Sequence, residues 1–126
     1  MPKNILLVDD DEDDVQVFSE ALLQLDPAVK ITVAENGLKA LDYLNSDYAL
    51  PCLIVLDINM PYLDGKQTFQ KIKANPQLEN VPIVIFTSSI NPADKNMFDE
   101  LGINFITKPH TILGINYAAS TMLNYC

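Results

Sequence analysis

The sequence contains no arginine, no tryptophan and no long apolar stretch. Eight basic residues face seventeen acids, so the formal charge is −9. A protein of this charge repels the phosphates of nucleic acids and anionic membranes. No apolar run approaches the roughly 20 residues of a membrane span, and the N-terminus leads straight into a strand pattern. We therefore expect that neither nucleic acid nor a membrane is a direct partner. We also expect the protein to be cytoplasmic.

Cysteine is also scarce, with one residue at Cys52 and one at the last position, Cys126. The two lack the spacing of a metal site. Cys52 opens an apolar strand pattern and Cys126 ends the chain, so both are interpreted as free thiols of a reducing compartment. The sequence predicts no disulfide.

Apolar runs alternate with helical periodicities along the whole chain. This is the pattern of successive βα units that form a parallel sheet. The predicted strands are residues 5–8, 29–34, 52–56, 83–86 and 105–107. No linker, repeat or low-complexity segment interrupts them, and 126 residues suit one domain. We predict one α/β domain over residues 1–126, a doubly wound five-stranded parallel sheet with helices on both faces.

Each predicted helix has its own boundary signals. Asp26-Pro27 ends the first helix, which carries Val15, Phe18, Ala21, Leu22 and Leu25 at helical spacing. Leu38, Leu41 and Leu44 are predicted to share one face of the second helix. The third contains Phe69 and Ile72 and should end near Asn75-Pro76. The fourth begins at Asn91-Pro92 and ends at Leu101-Gly102.

Four of the apolar runs end on residues suited to phosphoryl chemistry. The residues are Asp9 and Asp10 after the first run, Asp57 after the third, Thr87 after the fourth and Lys108 after the fifth. In open α/β sheets ligands bind beyond the carboxyl ends of the strands. These side chains are therefore predicted to converge on one pocket, although they are far apart in sequence.

An acidic run from Asp9 to Asp14 follows the first strand. Acids in the first turn of a helix are favoured by the helix dipole, which accounts for residues 11–14 without any site. Asp9 and Asp10 instead sit at the end of a buried strand, where desolvation and mutual repulsion are costly unless a cation is present. Mg²⁺ prefers carboxylate and other oxygen ligands, and Asp57 could supply another carboxylate.

Asp57 could be a simple turn cap, as Asp after a strand often is. A carboxylate beside a metal can also act as a nucleophile toward phosphorus. Asn59 could offer its backbone carbonyl to the metal. Thr87 could donate its hydroxyl to a phosphoryl oxygen, and Lys108 could supply a point charge. Each residue alone is a weak signal.

Together these residues resemble the receiver domain of bacterial two-component response regulators. The resemblance runs from Ile5 to about Leu123 and is carried by four motifs. They are Val8-Asp9-Asp10, Leu56-Asp57-Ile58-Asn59-Met60-Pro61 with Asp64-Gly65 after it, Phe86-Thr87-Ser88, and Lys108-Pro109. It implies a flavodoxin-like (βα)5 fold with strand order 2-1-3-4-5.

The resemblance also implies a role for each site residue. Asp57 would accept the phosphoryl group, and Asp10, Asp57 and the Asn59 carbonyl would bind Mg²⁺, with Asp9 helping through water. Thr87 and Lys108 would hold the phosphoryl oxygens. Phe105 would be the switch aromatic, although a plain core role fits it equally well. The peptide bond between Lys108 and its proline would usually be cis.

The implied function is a phosphorylation-activated signalling switch rather than an enzyme with its own substrate. The phosphoryl donor would be a sensor histidine kinase or a histidine phosphotransfer protein, and the output an unidentified protein bound in trans. Two alternatives remain open: a phosphorelay intermediate that passes the group on, and a phosphorylation-independent interaction module. A hydrolase is disfavoured because no second acid stands two residues after Asp57, and a flavin protein because acids repel its phosphate.

The last helix departs from the family because residues 109–126 contain no Asp, Glu, Lys or Arg. Helical spacing predicts core positions at Ile112, Ile115, Ala119, Met122 and Leu123. Leu113 and Tyr117 would then face outward. We expect either a neutral solvated face or, with the fourth helix, a homodimer or partner surface.

Overall fold

The computed structural model describes residues 3–46, 50–60, 64–88 and 91–126. Strands and helices alternate along the chain. The strands are β1 (Asn4–Val8), β2 (Lys30–Ala34), β3 (Leu53–Leu56), β4 (Ile83–Thr87) and β5 (Asn104–Thr107). The helices are α1 (Glu12–Leu25), α2 (Gly37–Leu44), α3 (Gly65–Ala74), α4 (Pro92–Glu100) and α5 (Ile112–Leu123).

The five strands form one parallel sheet in the order β2-β1-β3-β4-β5. β1, β3 and β4 lie in the centre and are buried throughout, whereas the edge strands β2 and β5 are partly exposed. The central runs are aliphatic on both faces, as strands covered by helices on both sides must be. The predicted fold class and strand order are confirmed.

Two apolar layers hold the sheet between its helices. Alternate strand residues such as Leu6 and Ile54 pack with α2, α3 and α4 on one face. Their neighbours, such as Leu7 and Val55, pack with α1 and α5 on the other. This arrangement follows from the period of two along a strand, which sends successive side chains to opposite faces.

Side-chain caps fix where the helices begin. Asp11 accepts from two N–H groups at the start of α1, and Asp64 forms a capping box with Gln67 on α3. Asn91 caps α4, and Gly102 follows that helix with a φ of +73°, a conformation that glycine adopts without strain. The boundaries predicted from Asn91-Pro92 and Leu101-Gly102 are confirmed.

The core position predicted for Ile112 is wrong. Ile112 is 78% exposed at the first position of α5, and Leu25 and Leu38 are also exposed. On α2 the buried side chains are those of Ala40 and Leu44. Helical spacing ignores how far each end of a helix stands from the sheet, and these residues lie at helix ends, where their side chains reach past the neighbouring layer.

The predicted absence of a disulfide is wrong as well. Cys52 and Cys126 form a disulfide across 74 residues, with their Cα atoms 5.3 Å apart. Both side chains pack against the layer that contains α5, because the chain after that helix turns back to the start of β3. Spacing along the chain could not show this contact.

The peptide bond before Pro109 differs from the form implied by the family resemblance. The Lys108–Pro109 peptide bond is trans, like the other peptide bonds of the described residues, so the cis form implied by the family resemblance is absent. Pro61 lies outside the described residues. Within residues 3–46, 50–60, 64–88 and 91–126, no helix is long and apolar enough to cross a membrane.

Candidate functional site

The backbone of three site residues extends the parallel sheet by one residue beyond its strands. The N–H of Asp9 donates across to β2 at 3.0 Å, and that of Asp57 donates to Val8 O at 3.0 Å. The N–H of Lys108 donates to Thr87 O at 2.8 Å. The sheet therefore fixes the backbone positions of Asp9, Asp57 and Lys108 at its carboxyl edge, as the strand ends predicted.

Asp9, Asp10 and Asp57 form a carboxylate cluster whose oxygens lie within 4.8 Å of one another. Asp9 and Asp57 are buried, and Asp10 is exposed. Burying two like charges so close together is costly unless a cation neutralises them. Carboxylate oxygens at this spacing fit a hard divalent ion such as Mg²⁺ or Mn²⁺.

A cavity with both acidic and apolar lining opens beside the cluster, between α1 and the end of β2. Asp9, Asp10, Glu12 and Glu35 contribute to its wall. Val15, Gln16 and Val33 form the rest of the wall, which is mainly apolar. The cavity therefore touches the cluster at Asp9 and Asp10 and does not reach Asp57.

Lys108 occupies the centre of the site, with only 4% of its side chain exposed. Its Nζ lies 2.7 Å from Asp9 Oδ2, 2.9 Å from Asp14 Oδ2 and 3.2 Å from Asp57 Oδ2. An ammonium group has three N–H donors, and three carboxylates receive them. The lysine thus partly neutralises the cluster and points at the oxygen of Asp57.

Burial and ion pairing have opposite effects on the pKa of Asp9, and also on that of Lys108. Burial raises the pKa of Asp9 to about 6, although hydrogen bonds from Lys108 and the Asp11 N–H act to lower it. Burial acts to lower the pKa of Lys108, but bonds to Asp9 and Asp14 and the charge of Asp57 raise it above its usual value. Lys108 is therefore a permanent cation at neutral pH.

Thr87 and Asn59 stand next to the cluster. Thr87 is fully buried at the end of β4, and its Oγ1 lies 3.5 Å from Asn59 Nδ2. The Asn59 N–H donates to Asp57 Oδ1 at 3.2 Å, so the loop after β3 orients the carboxylate. The metal-ligand role of the Asn59 carbonyl and the phosphate-binding role of Thr87 stay predictions.

Phe105 lies on β5, which is separated by β4 from β3, the strand that Asp57 follows. It is half-buried, and its ring centroid is 6.2 Å from that of Phe98 on α4. This placement fits either a core aromatic or a side chain able to rotate between α4 and β5. The switch role stays a prediction.

Gly65 brings α3 close to the Asp57 backbone. A Cβ at this position would lie 2.3 Å from Asp57 O and 2.5 Å from Ile58 Cα. The Gly65 N–H donates to Ile58 O at 2.9 Å. No larger residue fits without moving the strand end that carries Asp57, which explains a glycine after Asp64.

Asp14 is the site residue that the sequence reasoning missed. Residues 11–14 were assigned to a solvated first helical turn, yet Asp14 binds Lys108. Its position four residues before the buried Phe18 offered a signal, because residues i and i+4 share one face of a helix. Asp11 does have the predicted local role as the cap of α1.

The sequence matches the response regulator receiver domain over residues 5–116. The chain belongs to this family. Response regulator Rcp1 of Synechocystis sp. is 33% identical over 117 residues, which cover 88% of this chain and 80% of that protein. A probable cyclic di-GMP phosphodiesterase of Vibrio cholerae is 36% identical over 109 residues, 86% of this chain.

Solved structures of response regulators have the same fold as this chain. The Mn²⁺-bound form of Rcp1 superposes with a TM-score of 0.83 at 32% identity, covering 95% of this chain and 91% of that one. The phosphorylated cyanobacterial phytochrome response regulator RcpA gives 0.84 at 26% identity, covering 100% and 97%. The observed α/β order is therefore the flavodoxin-like receiver fold.

Relatives differ in how much of their length this receiver domain represents. The matched region is 24% of the Vibrio cholerae protein and 46% of a second Synechocystis regulator, Rre1. The phosphodiesterase name therefore belongs to a much longer protein. Receiver domains are generally non-enzymatic switches of two-component signalling that take a phosphoryl group from histidine kinases onto an aspartate.

Proposed function

We propose that this chain is a switch that accepts a phosphoryl group on Asp57 and signals through contacts with another protein. The donor is a histidine kinase or a histidine phosphotransfer protein of the cytoplasm. The observation that carries this proposal is the convergence of Lys108 and two further carboxylates on Asp57. The domain proposed for this role spans residues 1–126.

The chemistry is an in-line transfer. An Asp57 carboxylate oxygen attacks the phosphorus of an N-phosphohistidine or an acyl phosphate, forming a P–O bond as the bond to the leaving nitrogen or oxygen breaks. The leaving imidazole takes a proton from water, whereas a carboxylate leaves as the anion. Lys108 lies 3.2 Å from Asp57 Oδ2, within reach of a phosphoryl oxygen there.

Mg²⁺ fits the cluster and, when bound, would neutralise phosphoryl charge and orient the incoming group. Asp10, Asp57 and the Asn59 carbonyl would hold it directly, with Asp9 helping through water. The protein contributes positioning, since the sheet and the Gly65 contact fix the Asp57 backbone before any ligand arrives.

The output would pass through Thr87 and Phe105. A phosphoryl oxygen on Asp57 would draw the buried Thr87 hydroxyl toward it, and Phe105 would turn into the space that this movement frees. Phe105→Ala should then uncouple partner binding from phosphorylation while Asp57 is still modified. Unchanged coupling in a binding assay would remove the switch role from Phe105.

The exposed side of α5 is the proposed contact surface between two copies of the chain. Ile112, Leu113 and Tyr117 are each at least 77% exposed, and no charge lies on this helix. Exposed apolar groups on an uncharged helix favour an interface. Sedimentation with and without beryllofluoride and Mg²⁺ tests this surface, and a monomer in both conditions would contradict it.

The function is tested by incubating the protein with acetyl phosphate and following its intact mass. The expected result is one phosphoryl adduct that forms with Mg²⁺, is lost with EDTA and is absent from Asp57→Asn. Onward transfer to a histidine phosphotransfer protein would identify a relay intermediate. If neither an adduct nor beryllofluoride binding is detected, the chain is a phosphorylation-independent interaction module.

A further inference from the structure

Of the three carboxylates around Lys108, Asp14 alone lies outside the candidate metal cluster. Asp9 and Asp57 belong to the group whose oxygens lie within 4.8 Å of one another. Asp14 comes from the first turn of α1 and binds Lys108 Nζ at 2.9 Å across 94 residues of sequence. The ion pair therefore joins α1 to the segment that follows β5.

The surroundings of Lys108 must change when the site is loaded. A divalent cation would draw an Asp57 oxygen directly and Asp9 through water, and a phosphoryl group would take one of the Asp57 oxygens. Asp14 lies outside the metal cluster, so its oxygens would stay available to Lys108 in the loaded site. Lysine has a flexible four-carbon stem and needs such a partner to hold one position.

Asp14 is well placed to act as an anchor. Its N–H donates to the capping carboxylate of Asp11 at 3.2 Å, so its backbone is fixed in the first helical turn. Its side chain is 35% exposed and lies at the rim of the site, whereas that of Lys108 is 4% exposed. The pair thus holds the buried ammonium from the solvent side.

We propose that Asp14 is a positioning residue, which holds the Lys108 ammonium in line with the phosphoryl oxygens during transfer to Asp57. The proposal rests on the proposed function. The alternative effect of Asp14 is electrostatic, because its negative charge would repel the incoming phosphoryl group. The two effects have opposite signs: loss of positioning slows the transfer, whereas loss of repulsion speeds it.

The test compares Asp14→Asn with Asp13→Asn. Asp13 is in the same helical turn and carries the same charge, but the structure shows no contact between it and Lys108. Phosphorylation by acetyl phosphate is measured over a range of donor concentrations at saturating Mg²⁺. We expect Asp14→Asn to lower the maximal rate about fivefold, with the half-saturating donor concentration within twofold of wild type.

The control and rescue variants decide what causes the effect. Asp13→Asn should stay within twofold of wild type in both parameters, and Asp14→Glu should recover most of the lost rate. A faster or unchanged Asp14→Asn protein would overturn the proposal, as would an equal effect in Asp13→Asn. A purely structural role would change the unfolding free energy without separating these two variants in maximal rate.

The Lys108 ammonium gives a readout that needs no phosphorylation. In ¹⁵N NMR spectra of the Mg²⁺-loaded protein, its N–H protons should exchange with water several-fold faster in Asp14→Asn than in Asp13→Asn. Equal exchange would contradict the anchor. If wild-type protein forms no adduct but the exchange rates differ, the proposed function fails while the Asp14–Lys108 anchor stands.

Discussion

The two ends of the sheet handle buried polar groups differently. At the carboxyl edge, Asp9, Asp57 and Lys108 are charged and buried together. At the amino edge, Asn4 donates to Tyr43 OH at 2.9 Å and accepts from Thr32 Oγ1 at 3.2 Å. This second cluster is neutral and close to the disulfide.

The amino edge of the sheet mainly stabilises the fold, whereas the carboxyl edge holds the groups that react or bind metal. Neutral hydrogen bonds and a covalent link stabilise the amino edge without any ligand. Buried charges contribute less, because desolvation offsets their attraction, and they leave excess negative charge for a cation to neutralise. We expect substitutions at the amino edge to lower stability alone, and those at the carboxyl edge to change phosphorylation and metal dependence as well.

Removing the disulfide should have the largest effect on stability. Cys126→Ser should lower the unfolding free energy by about 4 kcal/mol, because the link closes a long loop in the unfolded chain. Urea denaturation with and without reductant measures this, and reductant should remove the difference. Equal stability of the two oxidised proteins would show that these cysteines are not linked.

Replacing Lys108 should destabilise the protein and slow its phosphorylation. Lys108→Met leaves three carboxylates facing one another and should destabilise the protein by about 3 kcal/mol without Mg²⁺. Mg²⁺ should restore part of this loss, and phosphorylation should fall about 100-fold.

Lys95→Met is the matched control, because Lys95 pairs with Asp99 on the exposed face of α4. It should change the unfolding free energy by less than about 0.5 kcal/mol, with or without Mg²⁺. A similar loss in both variants would show that the buried lysine has no special role.

The charge of Asp9 should appear in the pH dependence of stability. Because its pKa is raised to about 6 in the folded protein, the folded state binds this proton more tightly than the unfolded chain. Protonated Asp9 therefore stabilises the folded protein, fully so below about pH 4, and this contribution is lost as pH rises through 6. Without metal, the unfolding free energy of the wild type should fall by about 2 kcal/mol relative to that of Asp9→Asn between pH 4 and pH 7.

Denaturation of both proteins at several pH values, in EDTA, measures that difference. A difference that stays constant across the range would mean that Asp9 titrates alike in the folded and unfolded chains. Saturating Mg²⁺ should reduce the dependence, because the ion favours the charged carboxylate.

The smallest effect should come from the neutral cluster. Asn4→Ala removes two hydrogen bonds among half-buried groups and should lower the unfolding free energy by about 1 kcal/mol. Its rate of phosphorylation should stay within twofold of wild type. A large loss of phosphorylation would show that the two ends of the sheet are coupled.

The carboxyl edge was easier to predict from sequence than the amino edge. Strand ends in a parallel sheet meet at one edge, so Asp9, Asp10, Asp57 and Lys108 could be brought together from the strand pattern alone. The Cys52–Cys126 link depends on the path of the chain after α5, for which spacing carries no signal.

Helix ends account for the remaining errors. Ile112 fits the apolar spacing of α5 but lies at its first position, beyond the layer it was expected to join. Asp14 shows the opposite error: dipole arguments explained it without a partner, and its ion pair with Lys108 appears only when the first turn of α1 is placed next to the segment that follows β5.

The most direct test is to locate the phosphoryl group. After incubation with acetyl phosphate and Mg²⁺, borohydride reduction converts an aspartyl phosphate to homoserine, which peptide mass spectrometry can assign to one position. We expect homoserine at residue 57 and at no other acid, and none without Mg²⁺. Label at Asp9 or Asp10, or equal label in the absence of metal, would contradict it.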